Sequence, residues 1–375
     1  MTQTQMHDIV ILGASPAGLA TAYYLAMEKL DVVVVDSPHE SIECPLTDWL
    51  PRTFFEMTGL PKSLAKLAKA EPFLRVVYHN ASFNSKVEYK ARRAAGHFVH
   101  VPTLLKAMRS LATKAGAKVR VSTTWPAIRL DEDHVEIHGS RRVGAKLAIL
   151  AQNRPNDVLS ELSMPLRTVP SGSLLVSGLD MPVSQRRQNI QELEGALHVV
   201  ELRERTELGV FFVANGRFHV RVISNSVASG NRAMELSAMI NGLQQASIIP
   251  MNLPLGRAKG AVWYPPAGVA LELETHVAKR CLLTGTAGGF VECITGQSLV
   301  PSVRSSLLAA DVAIAALASD EPQNTLMKYK TMWRKSLADY LRPPNTSLHM
   351  LLPLLFVNQR IVSKFTRALL YGENI

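Results

Sequence analysis

Cysteine is scarce in this sequence. Three residues in 375 (Cys44, Cys281 and Cys293) are too few for a disulfide framework, and their spacing suits no metal. Both facts point to a reducing, cytoplasmic setting. The eleven histidines form no HExxH or comparable pattern, so no metal site is expected. No uncharged apolar run reaches the roughly 18 residues of a membrane span. The opening MTQTQMHD is short and polar, unlike a signal peptide. Net charge is +10, yet Lys and Arg are scattered and no basic run alternates with aromatics, which argues against a nucleic-acid partner. Repeats and low-complexity tracts are absent. The composition, 47% hydrophobic and 19% charged, is that of a globular chain long enough for one large or two interlocked domains.

What is present begins at residue 7. HDIVILGASPAGLATAYYLAMEKLDVVVVDSP predicts a buried strand at 9–12, a turn over 13–18, a helix over 19–29 and a second strand at 32–35 ending in Asp36. A strand–turn–helix–strand unit with an acid about 20 residues past its glycines is the pattern that holds a dinucleotide. Gly13 permits the tight turn, and Gly18 lets the helix close on the strand. The helix N-terminus, beginning around Ala17, offers N–H groups and a positive dipole end to a pyrophosphate. Ser15 replaces the pattern's middle glycine, and its small hydroxyl can face the phosphates. Asp36 is placed to accept from an adenosine ribose, and its charge opposes a 2′-phosphate there.

A second glycine-rich stretch lies far along the chain. CLLTGTAGGFVECITGQSL, residues 281–299, reads as a buried strand, a turn, and a helix starting after Thr295 and Gly296. Long β-rich segments separate it from the first unit. With these two motifs and the C-terminal LHMLLPLLFVNQR, the chain resembles the geranylgeranyl reductase-like branch of the p-hydroxybenzoate hydroxylase-fold flavoproteins, relatives of flavin-dependent halogenases and monooxygenases. The resemblance spans nearly the whole chain. VPTLLKAMRSLATKAGAKVRVST sits where that family places a helix and strand of the FAD domain, AKLAILAQN where it returns to the sheet, and ELGVFFVANGRFHVRVIS reads as a substrate-domain hairpin across Asn215 and Gly216.

The resemblance implies an α/β fold, with a Rossmann-like FAD-binding domain (1–40, 97–165 and 272–330) interleaved with a β-sheet substrate domain (41–96 and 166–271) and a helical C-terminal appendix (331–375). It implies FAD as cofactor, with NAD(P)H as a candidate reductant. The cofactor-binding residues would be Gly13, Ser15, Ala17, Gly18, Asp36, Gly285, Thr286, Thr295 and Gly296, with the helix N-terminus near Thr295 and Gly296 aimed at the flavin ring. Several positions depart from the family. Thr286 replaces the acid of a Gly-Asp pair, Gln152-Asn153 an Asp-Gly pair, Val101 an arginine, and Cys293 a proline against the ring. The reductase pattern of Tyr and Trp ending in Phe-Pro is reduced to Phe211-Phe212 and Val213-Ala214, and the halogenase lysine and WxWxIP motif are missing.

Candidate catalytic residues are Cys293, as a thiolate favoured by the nearby helix N-terminus or as a small filler, Glu292 beside it, as an acid–base group or an exposed loop acid, and Cys44, as a cavity thiol. Trp49, Phe211, Trp263 and Tyr264 would line a pocket for an apolar or aromatic substrate. Reduction of an apolar double bond and hydroxylation both fit; modification of a protein substrate, as in quinone-cofactor maturation, and a flavin-less scaffold are the alternatives. Residues 348–371 form apolar helices with Arg360, Lys364 and Arg367 opposite, which suits either packing on the substrate domain or a peripheral membrane contact.

Overall fold

Uninterrupted apolar strands suit a parallel sheet covered on both faces, and the computed structural model has such a sheet at its centre. The structure describes residues 6–36, 46–124, 126–152, 175–182, 192–202, 208–224, 232–251, 260–263, 269–342 and 348–373, with isolated residues between 159 and 190. In chain order, β1 (Met6–Leu12), α1 (Pro16–Met27) and β2 (Val32–Asp36) form the opening unit. Next come β3 (Thr47–Pro51), β4 (Glu71–Phe73), β5 (Arg75–His79), β6 (Lys86–Lys90) and β7 (Gly96–His100). They are followed by α2 (Val101–Ala115), β8 (Lys118–Val121), β9 (Ala127–Leu130), β10 (Val135–His138) and β11 (Arg142–Leu150). Strands β12 (Leu175–Pro182), β13 (Ala196–Glu201), β14 (Leu208–Ala214) and β15 (Arg217–Ser224) precede α3 (Arg232–Gln245) and β16 (Gly260–Trp263). The rest comprises β17 (Val277–Ala278), β18 (Cys281–Leu283), α4 (Leu299–Leu317), α5 (Pro322–Leu341), α6 (Leu348–Leu355) and α7 (Gln359–Tyr371).

The first sheet runs β17-β18-β11-β1-β2-β8, with β9 and β10 attached as a hairpin beside β11. Pairing of β1 with β2 and β11, and of β11 with β18, is parallel. Alternation along β1 sends Ile9 and Ile11 to a core with α1, α2, α4 and α5, and Val10 and Leu12 to a core with β9 and β10. Ser15 caps α1 by accepting from Gly18 N, and Pro16 fits the first helical position, where no N–H is needed. Helix α4 is long and apolar enough to cross a bilayer, but 72% of its apolar window is buried in this core. It lies against α1, where Thr21 Oγ1 donates to Ser306 O (3.3 Å) and Tyr24 Oη to Asp311 Oδ1 (2.9 Å).

The second sheet runs β16-β12-β15-β14-β13-β5-β6 and is antiparallel except between β13 and β5. Its central hairpin turns at Asn215 (φ 52°) and Gly216 (φ 66°), the left-handed pair of a type I′ turn, as the Asn-Gly sequence predicts. On one face α3 presents Leu236, Met239, Ile240 and Leu243, the i, i+3, i+4, i+7 stripe of an amphipathic helix. The other face meets the small sheet β3-β7-β4 and, from the C-terminus, Leu351, Leu352, Leu355, Val362, Phe365, Leu369 and Leu370 of α6 and α7. The apolar side of the last two helices is thus covered by the second sheet, whereas α5 buries Trp333 and Leu337 in the first core.

Phe365 is 1% exposed and meets the Tyr78 ring edge-on at 5.6 Å. Phe365→Ala should therefore cost about 3–5 kcal/mol. The measurement is urea unfolding, in which the midpoint falls while the slope stays constant; a variant as stable as the parent would show that α7 contributes nothing to the core.

Candidate functional site

Ligands of open α/β sheets bind outside the carboxyl ends of the strands, where strand order reverses. Here that point lies between β1 and β11, with β18 on the far side of β11. Ala151 N donates to Leu12 O (2.8 Å) and Thr284 N to Leu150 O (2.9 Å), so the turns after β1, β11 and β18 leave the sheet side by side. Two glycines show how closely the pieces meet. A Cβ on Gly18 would lie 2.1 Å from Gly13 O. Gly285 has φ +61°, and a Cβ there would lie 2.7 Å from Ala17 Cβ. The two glycine turns, about 270 residues apart in sequence, are neighbours across α1's first turn.

The polar groups at this junction are of two kinds. Some are already engaged. Asp36 accepts from Ala14 N (3.1 Å) on one oxygen and from Arg109 Nη2 (2.6 Å) on the other. A carboxylate has about four lone-pair sites, so Asp36 keeps acceptor capacity for a ribose hydroxyl. Ser15 Oγ takes the Gly18 N–H (3.2 Å), one of the donors a phosphate would otherwise meet. Others lack a partner. Gln152, directly after the β11 turn and 1% exposed, has neither side-chain nitrogen nor oxygen hydrogen-bonded among the described residues. Ser302 Oγ, buried in the first turn of α4 beside Gly285, is likewise without one. Orphaned polar atoms inside a protein cost about 1–3 kcal/mol each. Their clustering where the glycine turns meet marks a place that a polar ligand completes, and Thr286, only partly buried within a buried turn, belongs to the same rim.

The turn that follows closes on itself. Glu292 is buried and accepts from Ile294 N (2.6 Å), Thr295 N (2.7 Å) and Thr295 Oγ1 (2.7 Å). It is a turn-holding group, not an exposed loop acid, and burial pushes its pKa up. The Thr295 donors are therefore spent on Glu292, and Gly296 (φ 71°) lies three residues ahead of α4. Cys293 Sγ donates to Leu341 O (3.0 Å). The expected thiolate is corrected: burial, then Glu292 and Glu272, push this thiol up to about 12. Burial is the larger cause, and the carboxylate of the preceding residue opposes ionisation further. Gln297 then ties the turn down, donating to Trp49 O and accepting from Tyr340 Oη (3.1 Å).

Trp49 stands over this turn on β3. It is 3% exposed, edge-on to Phe212 at 6.3 Å, and Phe212 stacks on Phe98 at 4.5 Å. Phe212, not Phe211, is the β14 residue on this face. Phe211 points to the α3 side, stacked on His198 at 4.6 Å, because neighbours on a strand face opposite ways. The polar groups on the Trp49 face engage one another. Arg221, under the Trp49 ring at 5.4 Å, donates to Asp48 (3.0 Å) and to Thr47 O, and His219 shares a hydrogen bond of 2.7 Å with Asp180. Trp263 ends β16, and its side chain is outside the described residues, as are Cys44 and Tyr264 entirely.

Comparison with known proteins matches residues 6–151 to the FAD binding domain family. This part of the chain is similar to FAD binding domains. Gly13, Gly18, Asp36 and Arg109 fall inside it, and Gln152 is the residue just past its end. Over 350 residues the chain is 22% identical to digeranylgeranylglycerophospholipid reductase 1 of Methanothermobacter thermautotrophicus, covering 88% of this chain and 83% of that one. It is 23% identical to rifampicin monooxygenase of Rhodococcus hoagii, covering 90% and 70%. In structure it is similar to a geranylgeranyl bacteriochlorophyll reductase-like protein of Thermoplasma acidophilum (TM-score 0.73, 15% identity, 99% and 98% covered). A p-nitrophenol 4-monooxygenase of Pseudomonas putida gives a TM-score of 0.71 at 14% identity, with 98% and 94% covered. The resemblance carried by the two glycine motifs thus holds for the fold of the whole chain.

The residues at the junction fit FAD: two turns that admit only backbone, an acid held for a ribose, and an amide and a hydroxyl without partners. Arg109, Gln152 and Ser302 were not singled out by the sequence. Only the odd pair Gln152-Asn153 at a strand end hinted at any of them.

Two predictions follow from the geometry. Gln152→Leu removes an orphaned amide, so FAD-free protein should gain about 1 kcal/mol of stability while FAD affinity falls about ten-fold. Thermal unfolding with and without FAD reads both, and a variant that moves them in the same direction contradicts the assignment. For Cys293, a folded pKa above the unfolded one means that the thiol's contribution to stability is intact below about pH 9 and is lost as pH rises toward 12. At pH 8.5 the native thiol stays almost wholly protonated. An aromatic disulfide reagent should label native Cys293 far more slowly than the urea-unfolded chain, and equal rates would refute the buried-thiol picture.

Proposed function

We propose that this FAD-dependent oxidoreductase reduces a carbon–carbon double bond in a neutral, apolar substrate, with NAD(P)H as the electron donor. The convergence of the turns at Gly13–Gly18 and Gly285–Gly289 around the unpartnered Gln152 amide carries the cofactor reading. Bound FAD supplies two-electron redox chemistry, and the chain supplies place and surroundings. Arg109 holds Asp36 at the adenosine end. Glu292 and Gln297 fix the second turn and fasten it to Trp49 and Tyr340. The wall beyond that turn is Trp49, Phe98 and Phe212, and the polar groups near it engage one another, Asp48 with Arg221 and Asp180 with His219. A largely aromatic wall whose polar neighbours are already engaged favours an uncharged substrate, because a charged one would be desolvated there without a partner.

One feature supports reduction over oxygenation. The curated relatives named as reductases are covered over more of their length (83% and 84%) than the one named a monooxygenase (70%). The reaction adds two electrons and two protons across the double bond, the electrons coming from NAD(P)H.

The purified protein should show flavin absorption bands, or take up added FAD. Colourless protein that does not bind FAD would overturn the cofactor reading and leave a scaffold. With an isoprenoid alcohol as substrate, NAD(P)H should be consumed without oxygen. Consumption of one oxygen per NAD(P)H, with hydroxylated product, would instead make the chain a monooxygenase.

A further inference from the structure

We propose that the α6–α7 end of the molecule docks on an anionic lipid surface, with the turn after α6 entering the headgroup layer. Leu351, Leu352 and Leu355 use one side of α6 to cover the second sheet. The opposite side is left to solvent: Met350 is 65% exposed, Leu354 43% and Val357, in the turn at 356–358, 80%. Single exposed apolar residues are ordinary. Three at i, i+4 and i+7, ending in a protruding turn, form a continuous ridge that the fold does not use.

Exposed basic residues lie on the elements next to the ridge, α7 and β6. Arg360 and Lys364 are on the exposed side of α7 immediately after it. Gln359 Nε2 donates to Glu88 O (3.0 Å), which holds α7 against edge strand β6 with its exposed Lys86 and Lys90. Arg92 and Arg93 are exposed just beyond β6. The nearby acids are matched, Glu88 with Arg75 (3.9 Å) and Glu373 with Arg367 (2.6 Å). The surface therefore combines an apolar prong with an unbalanced positive field, the pair of features that an anionic bilayer complements. A second copy of the chain suits it less, because a two-fold contact would set the same six cations against themselves. Such docking would bring the chain to where apolar substrates dissolve, yet it can be measured without turnover and so stands or falls apart from the redox reading.

The test is sedimentation of the full chain with vesicles of phosphatidylcholine alone or mixed with phosphatidylglycerol. Binding to the mixed vesicles only, reversed by high salt, is expected. Arg360→Gln with Lys364→Gln should lower the partition coefficient about 25-fold, at about five-fold per charge. Val357→Ser should lower it about ten-fold; this exposed position is outside both cores, so FAD uptake and circular dichroism should match the parent. Absence of binding, equal binding to both vesicle types, or variants that bind like the parent would overturn the proposal. So would ultracentrifugation showing a dimer that Val357→Ser converts to monomer, which would assign the ridge to a second copy.

Discussion

Parallel pairing of β11 with β1 on one edge and β18 on the other is the constraint on which the candidate site depends. Leu150 lies opposite Leu12 and Leu283 in the two ladders. The chain therefore leaves three neighbouring strands at one level, and the turns that follow must share the same narrow space. Only small residues allow this: Gly13, Ala17, Gly18, Ala151 and Gly285 are packed at backbone contact. A sheet slipped by one residue would separate the turns and reverse every side chain along β11. The cofactor site is thus a product of strand register before it is a product of any one side chain.

Beyond the turns, polar atoms have been handled in two ways. Near the Trp49 wall and around Glu292 the carboxylates are satisfied within the protein, since Asp48, Asp180 and Glu292 all find partners at hydrogen-bond distance. A buried ion pair adds little net stability, but removing one partner leaves the other charge stranded. These pairs therefore fix the position of the Trp49 wall more than they strengthen the fold. At the junction the opposite holds, with Gln152 and Ser302 left incomplete. What sets the junction apart is that Gln152 has neither side-chain atom hydrogen-bonded and Ser302 Oγ, beside the second glycine turn, is without a partner too.

Local signals made much of this legible in the sequence. The periodicity of β1, α1 and β2, the Asn215-Gly216 turn and the stripe on α3 all follow from residues close together in the chain. So does the pairing of the motifs at 13–18 and 285–289, since each has a strand before it and a helix after it. What stayed hidden depends on contacts made over long distances. Phe211 and Phe212 are equivalent in sequence, and only the register of β14 against β13 and β15 decides which meets Trp49. The Cys293 thiol is set by Leu341 O, 48 residues later. The Gln297–Trp49 link joins positions 248 residues apart. No local pattern encodes either contact.

The seating of α1 against α4 bears on synthesis. Thr21 meets Ser306, 285 positions further along, and the small-residue face of α1 is buried there. On a ribosome, the opening βαβ unit emerges long before the helix that covers it. The side of α1 that meets α4 has no native partner until residues past 299 are made, even though α2 can cover another side much earlier, and loop closure over that distance must precede the contact. That side of the nascent N-terminal unit stays open until α4 has cleared the exit tunnel. A truncated chain ending before residue 299 would lack the lid of its own first domain, and should be degraded rather than accumulate as a stable fragment.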